Sequence, residues 1–545
     1  MIGVLANQAE VSVVREFFEL FKTPWELYRH GRHYDVLLRS GDANLEGSPA
    51  RLIINYATPE RPSDNVLSSC YKPAKQSPRI LSYNGARLPL YCGCVTFDES
   101  GASPLIDLES MQPAVCETNR NGARLVSIGY NLFGEVGYLL KTGQPPSQAA
   151  IPALDLHISL LRDLIRSAGV SLTEIPPVPY GYRFLACLTH DVDHPFVRRH
   201  KFDRTMFGFL YRALIGSVID AIRGRTRFSN LLRNWLAALK LPFVYLGLAQ
   251  DFWSRFDRYV EIEDGRPSTF FVIPFRNTAG RTSDGIAPKI RAAAYGASDV
   301  VDQLRRLAAA DCEIALHGID AWLEDGKGSE ELKAIQSITG TEDIGVRMHW
   351  LHFDEQSPVV LESAGASYDS TIGYNEAVGF RAGTTQVYKP LNATTLLELP
   401  LHIMDTALFY PAHLHLSPKD AEVRINRVID TAVQYGGCVT VNWHDRSIAP
   451  ERLWTETYVN LVNELSQKGA WFATAAQAVA WFRMRRSVMF DTDAQGAVRI
   501  TLPDRDESLW KLTLRSWPVS GEPRDVAVSE TVQTLPMPAV ILNER

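Results

Sequence analysis

Residues 188–195 read LTHDVDHP, directly after the apolar run RFLAC at 183–187. Asp191 and Asp193 stand two apart, flanked by His190 and His194. An aspartate pair with histidines spread further along the chain suits metal-assisted hydrolysis. A divalent ion needs carboxylate and imidazole ligands and an open position for water. One more carboxylate must take a proton from that water, and another acid must protonate the leaving group. In an extended segment Asp191 and Asp193 share one face; in a loop they divide between metal and substrate. His444, from a strand far along the chain, is placed to serve as the acid across the pocket. Alone, an Asp-x-Asp is ordinarily a solvated turn; the meaning of this one depends on its company.

That company follows the elements that must position it. From 182 to about 485, strand-like runs alternate with helical patterns. The strands are RFLACLTH, STFFVI (268–273), CEIALH (312–317), GVRMHW (345–350), LLELPL (396–401) and GCVTVNWH (437–444). Helical spacing fills 297–310, 328–338, 418–435 and 452–467. Such alternation predicts a parallel α/β sheet or barrel. Functional groups gather at the C-terminal strand ends of these folds. His190, Asp191, His317, His349 and His444 all stand at or just past such ends.

With these motifs in order, the stretch 180–485 resembles the polysaccharide deacetylase family of carbohydrate esterases, in a bacterial branch whose first motif reads Thr-His-Asp-Val-Asp. The resemblance implies a distorted (β/α) barrel, a divalent metal (zinc by its preference for imidazole-rich sites) and hydrolysis of acetyl groups on sugars. Carried over by position, THDVD makes Asp191 the general base and Asp193 a metal ligand. CEIALHG makes His317 a ligand. In GVRMHWLHFD, Arg347 orients the base and the backbone N–H near Trp350 faces the oxyanion. In LLELPLHIMD, Asp405 pairs with the acid, which is His444 of VTVNWHD. The family's second histidine, four residues after the first, is replaced by Ala321. His349 is the choice for third ligand, with His194, Asp320 and His352 as the other candidates. The loop YDSTIGYNEAVGFRAGT (368–384) resembles the branch's substrate side, where Asp369, Glu376 and Arg381 either bind substrate or brace the loop.

Elsewhere the chain reads as an N-terminal α/β domain at 1–150, a helix and linker at 151–181 and, past the catalytic segment 182–485, a small β-domain at 486–545. A helical insertion at 203–250 separates the first motif from the second strand. Within it, residues 205–250 are apolar at helical spacing, interspersed with Arg212, Arg223, Arg225, Arg227 and Arg233. That stretch is a helical layer packed on the barrel, or a lip that meets a membrane surface or a lipid-linked glycan. The net charge of −6 gives no nucleic-acid footprint. Seven scattered cysteines form no disulfide framework, which points to a reducing compartment. Cys92 and Cys94 lack a second pair at ligand spacing. The N-terminus has no secretory pattern and no apolar run is long enough to span a bilayer, so a cytoplasmic protein is expected.

The functional expectation is a metal-dependent hydrolase that deacetylates an N-acetylated sugar during surface-polysaccharide assembly. The alternatives are a hydrolase of another C–N bond on the same scaffold, and a catalytically inactive glycan-binding module.

Overall fold

A computed structural model of the chain describes residues 1–40, 50–56, 71–72, 78–97, 103–120, 122–223, 228–492, 498–502, 511–528 and 532–534. Cys70, Arg225 and Arg227 lie outside these residues, as does much of 486–545. The chain divides into two compact units. One comprises residues 1–181, 382–384 and 481–545; the other comprises 182–381 and 385–480.

The second unit is built on a seven-stranded sheet. Its strands are β1 (Phe184–Val192), β2 (Ser268–Val272), β3 (Glu313–Gly318), β4 (Val346–Met348), β5 (Ile403–Met404), β6 (Cys438–Asn442) and β7 (Ala470–Phe472). The spatial order is β4-β3-β2-β1-β6-β5, with β7 also beside β1. Every pairing is parallel. β1 is buried along its whole length, as are β2 and β6, which is why these strands read as continuous apolar runs rather than alternating ones. The sheet curls. Beyond β4, single parallel bridges run from Val346 to Asp369 and from Asp369 to Glu398, a few residues before β5 on the opposite edge.

Helices Val301–Ala308, Asp325–Thr339, Pro418–Tyr435 and Thr455–Gln467 lie between the strands and bury Leu304, Leu307, Ile335, Ile429, Leu461 and others in one core with β1–β4 and β6. One expected strand is displaced. LLELPL does not form a regular strand; the ladder resumes at Ile403–Met404, after Pro400. Proline lacks the N–H that a central strand must donate.

The first unit carries a six-stranded sheet. In spatial order its strands are Val115–Arg120, Ala123–Ile128, Leu52–Tyr56, Val36–Ser40, Ile2–Leu5 and Trp25–Leu27. All pair in parallel except the hairpin Val115–Arg120 with Ala123–Ile128. Two of the C-terminal strands join an earlier segment: Thr513–Trp517 pairs with Leu172–Glu174 and with Arg524–Ala527, so the segment read as a linker supplies an edge to them, while Met489–Thr492, Val498–Thr501 and Val532–Thr534 form a sheet of their own.

Candidate active site

The site lies at the C-terminal ends of β1, β3, β4 and β6. Strand register sets its first contacts. His317 on β3 is the cross-strand partner of Arg347 on β4, and Thr189 on β1 is the partner of Asn442 on β6. β3 and β4 approach closely at Gly318, where a Cβ would stand 2.6 Å from Sδ of the flexible Met348 side chain.

Asp193, His317 and His349 converge, their candidate ligand atoms all within 4.8 Å of one another. Hydrogen bonding fixes which ring nitrogens face the cluster. His317 Nδ1 lies 2.9 Å from the Arg347 carbonyl, which can only accept, so Nδ1 carries the hydrogen and Nε2 offers a lone pair. His349 Nε2 lies 3.1 Å from the Arg291 carbonyl, which leaves Nδ1 as its lone-pair nitrogen. Those two nitrogens stand 3.0 Å apart. Asp193 Oδ1 is 3.4 Å from the first and 3.3 Å from the second, buried and without a hydrogen-bond partner. Three lone-pair atoms with no hydrogen among them repel unless a cation lies between them. Two ligand atoms held about 2.0–2.2 Å from one tetrahedral ion stand roughly 3.4 Å apart, so the spacing fits a divalent metal. Burial keeps His349 neutral by lowering its pKa, although Asp193 pulls the other way.

The other proposed ligands are placed elsewhere. Ala321 is fully buried in the apolar core. His194 packs its ring against His200 and Trp253, Asp320 accepts from the Arg281 N–H at 2.7 Å, and His352 stacks on Trp322.

Asp191 is held on several sides. Arg347 Nη1 donates to its Oδ1 at 3.0 Å and Asn442 Nδ2 to its Oδ2 at 2.7 Å, and its own N–H donates to Asn442 Oδ1. Oδ2 is also 3.8 Å from His317 Nε2. Burial would raise its pKa, but His317 and Arg347 outweigh that and hold it below the usual carboxylate range. Arg347 itself is fully buried. It donates to Thr189 Oγ1 and to the Ser370 carbonyl and hydroxyl, and it lies over the Phe271 ring at 4.3 Å.

On the far side, His444 Nδ1 pairs with Asp405 Oδ1 at 2.6 Å, and the His444 N–H donates to Asp405 Oδ2. His444 Nε2 faces Asp193 Oδ2 at 3.8 Å. Burial works against a charged ring there, but Asp405 outweighs it and lifts His444 to about 10. Tyr259 fixes the position from behind, its hydroxyl donating to the His444 carbonyl at 2.6 Å.

The substrate-side residues separate. Trp350 is 40% exposed beside His349, and it and Leu351 both adopt left-handed backbone, with φ 66° and 54°. Such conformations in non-glycine residues store strain and cluster at functional sites. Asn375 Nδ2 donates to the Trp350 carbonyl. Glu376 is exposed. Arg381 donates to the Gly373 carbonyl at 2.8 Å and covers Phe353, so it braces the loop. Asp369 is buried, accepting from Thr371 Oγ1, and burial raises its carboxyl to about 6. It too braces rather than lines a surface.

His190, expected among the strand-end groups, is a core residue: Nδ1 meets the Trp443 carbonyl and Nε2 meets Glu263, each at 2.8 Å. Sequence reasoning missed Asn442, the last residue of β6, two positions before His444. It also missed Arg291, whose carbonyl accepts from His349 while its guanidinium donates to the His349 carbonyl. Asp445 was missed as well. It is buried beside Asp191, accepts from the His194 N–H, and is lifted to about 7 by burial and by Asp193.

No protein-family model matches the chain, and no curated protein matches it in sequence. Among solved structures it is similar to a protein named as a polysaccharide deacetylase from Mycobacterium smegmatis, at 19% identity and a TM-score of 0.36, covering 56% of this chain and 93% of that one. It is also similar to one so named from Pseudomonas aeruginosa, at 13% identity and a TM-score of 0.35, covering 56% and 92%. A third is a GH57 branching enzyme from Thermococcus kodakaraensis, at 11% identity and a TM-score of 0.27, covering 55% and 71%.

Proposed function

We propose that the chain is a metal-dependent hydrolase that removes the acetyl group from an N-acetylated sugar in surface-polysaccharide or glycan metabolism. The observation that carries this reading is the order of groups across one pocket. Three lone-pair atoms of Asp193, His317 and His349 stand at the centre, with Asp191 held by Arg347 and Asn442 on one side and His444 held by Asp405 on the other. A divalent ion bound by the central three supplies a Lewis acid, zinc being the ion that suits two imidazoles and a carboxylate.

The chain's own residues do the rest. Asp191, ionised and acceptor-only, takes the proton from the attacking water. Arg347 and Asn442 occupy its other lone pairs and fix its direction. His444 is kept protonated by Asp405 and gives its proton to the departing amine, so the sugar leaves as a neutral amine rather than an anion. The left-handed turn at Trp350 and Leu351 presents backbone N–H groups to the oxyanion, and the exposed indole offers an apolar face to the sugar ring. Glu376 is the remaining polar group free to meet sugar hydroxyls, while Asp369 and Arg381 shape the loop that carries it.

The test is acetate release from a panel of N-acetylated nucleotide sugars and oligosaccharides, measured on wild type and His444→Ala. Release by the wild type that falls sharply in the variant supports the reading. Retention of acetylated glycans without acetate release would point instead to a binding module.

A further inference from the structure

The helix Phe228–Tyr245 is apolar on two faces, and only one is covered. Leu231, Ala237, Leu241 and Val244 are buried, the last three in a cluster with Met206, Phe209 and Trp253. Phe228, Leu232, Trp235, Leu236, Leu239 and Phe243 recur at the spacing of a second face and are exposed, Leu239 to 70%. The preceding helical turns repeat the arrangement: Ala213 is buried while Phe207, Tyr211, Leu214 and Ile215 are exposed. Fourteen of the twenty-five exposed large apolar side chains among the described residues fall between Phe202 and Leu248. Single exposed apolar residues are ordinary, but such a concentration marks an interaction surface.

Charge indicates what the surface meets. Residues 201–250 hold eight Lys or Arg and two Asp, a net of +6 in a chain whose total is −6. Of the two acids, Asp203 is engaged locally, capping the next helix through the Met206 N–H at 2.9 Å and pairing with His200 at 2.8 Å. Arg204, Arg233 and Lys240 are exposed among the apolar residues. A second copy of the chain would set like charges face to face across a two-fold axis, which disfavours self-association. An anionic bilayer satisfies both halves of the pattern. Leucine and phenylalanine enter the acyl boundary, Trp235 sits at headgroup level, and the arginines and lysines meet lipid phosphates. Among the described residues no helix is long and apolar enough to cross a membrane, so the contact is in-plane.

We propose that residues 201–223 and 228–248 form an in-plane docking surface for an anionic phospholipid bilayer. This stands apart from the hydrolase reading, because lipid binding is measured without turnover.

The experiment is co-sedimentation of the full chain with vesicles of phosphatidylcholine alone and of phosphatidylcholine mixed with phosphatidylglycerol. Three results are expected. The protein pellets with the anionic vesicles, added salt weakens the pelleting, and phosphatidylcholine alone retains little. Arg233→Glu with Lys240→Glu should weaken partition at least about tenfold, since each basic residue near an anionic surface contributes about 1 kcal/mol. Trp235→Glu with Leu239→Glu should abolish it. All four positions are exposed, and thermal melts matching the wild type verify that each variant folds. Three results would overturn the proposal: no pelleting of the wild type, undiminished pelleting of the charge-reversed variant, or a dimer by light scattering that Leu239→Glu dissolves while vesicles bind nothing.

Discussion

Two histidine–carboxylate arrangements occur on one sheet and differ in what their rings have left over. Inside the core, His190 uses both ring nitrogens, one on the Trp443 carbonyl and one on Glu263, and Tyr458 adds a third bond to that carboxylate at 2.6 Å. At the rim, His317 and His349 each use one nitrogen on a carbonyl and turn the other toward Asp193 and each other. The residue types are the same. What separates the two is the number of ring lone pairs left over. Buried polar groups are almost always paired, so lone-pair atoms of Asp193, His317 and His349 that converge are able to hold a cation, whereas a ring with two partners has none to offer.

Substitutions can break this contrast. The largest effect is expected from Asp193→Asn, which removes the only carboxylate among the three converging atoms. Metal content and turnover should both be lost, as read by elemental analysis and acetate release. Asp191→Asn should lose about 10²–10⁴-fold in rate, the usual range for a general base, while keeping its metal. Equal metal loss in the two variants would erase the distinction between ligand and base.

A pH profile sharpens the far side of the pocket. In the proposed reaction His444 acts protonated, and Asp405 raises its pKa, so activity should fall as pH rises through the alkaline limb. Asp405→Asn removes the raising charge and should move that limb to lower pH. A divalent ion beside Asp193 offsets part of the same elevation, so the limb of the loaded protein should lie below about 10. An unmoved limb in Asp405→Asn would show that the pair does not set the acid's pKa.

The smallest effect on activity belongs to the core pair. Glu263→Gln should leave the rate constant for acetate release near wild type and lower the melting temperature. Perturbing one partner of a buried hydrogen-bonded pair costs about 1–3 kcal/mol. A large loss of activity in a variant that remains folded would move His190 into the reactive group.

Much of the pocket was legible because its residues sit at the ends of apolar strand runs, where a sequence changes character abruptly. Asp191, His317, His349 and His444 are of this kind, whereas Asp193, Arg347 and Asp405 were read from the resemblance; the structure brings all seven close together. His190 looked identical from sequence; only its contact with Glu263, on a helix that follows the insertion, marks it as core. For Asp369 the sequence left substrate binding and loop bracing open, because its loop is polar and rich in glycine. Its bridge to Glu398 depends on a ladder that no local pattern announces. The pairing of Thr513–Trp517 with Leu172–Glu174 joins segments more than three hundred residues apart, which periodicity cannot connect. Charge and apolarity in the insertion were plain in the sequence, but which apolar residues face inward depended on the helix's own packing.

The central claim is that Asp193, His317 and His349 hold one divalent ion. It is tested most directly by elemental analysis of the purified chain beside His349→Ala, after equilibration with zinc and removal of the excess. The account predicts close to one equivalent in the wild type and little in the variant. A wild type without metal, or a variant that keeps a full equivalent, would contradict it.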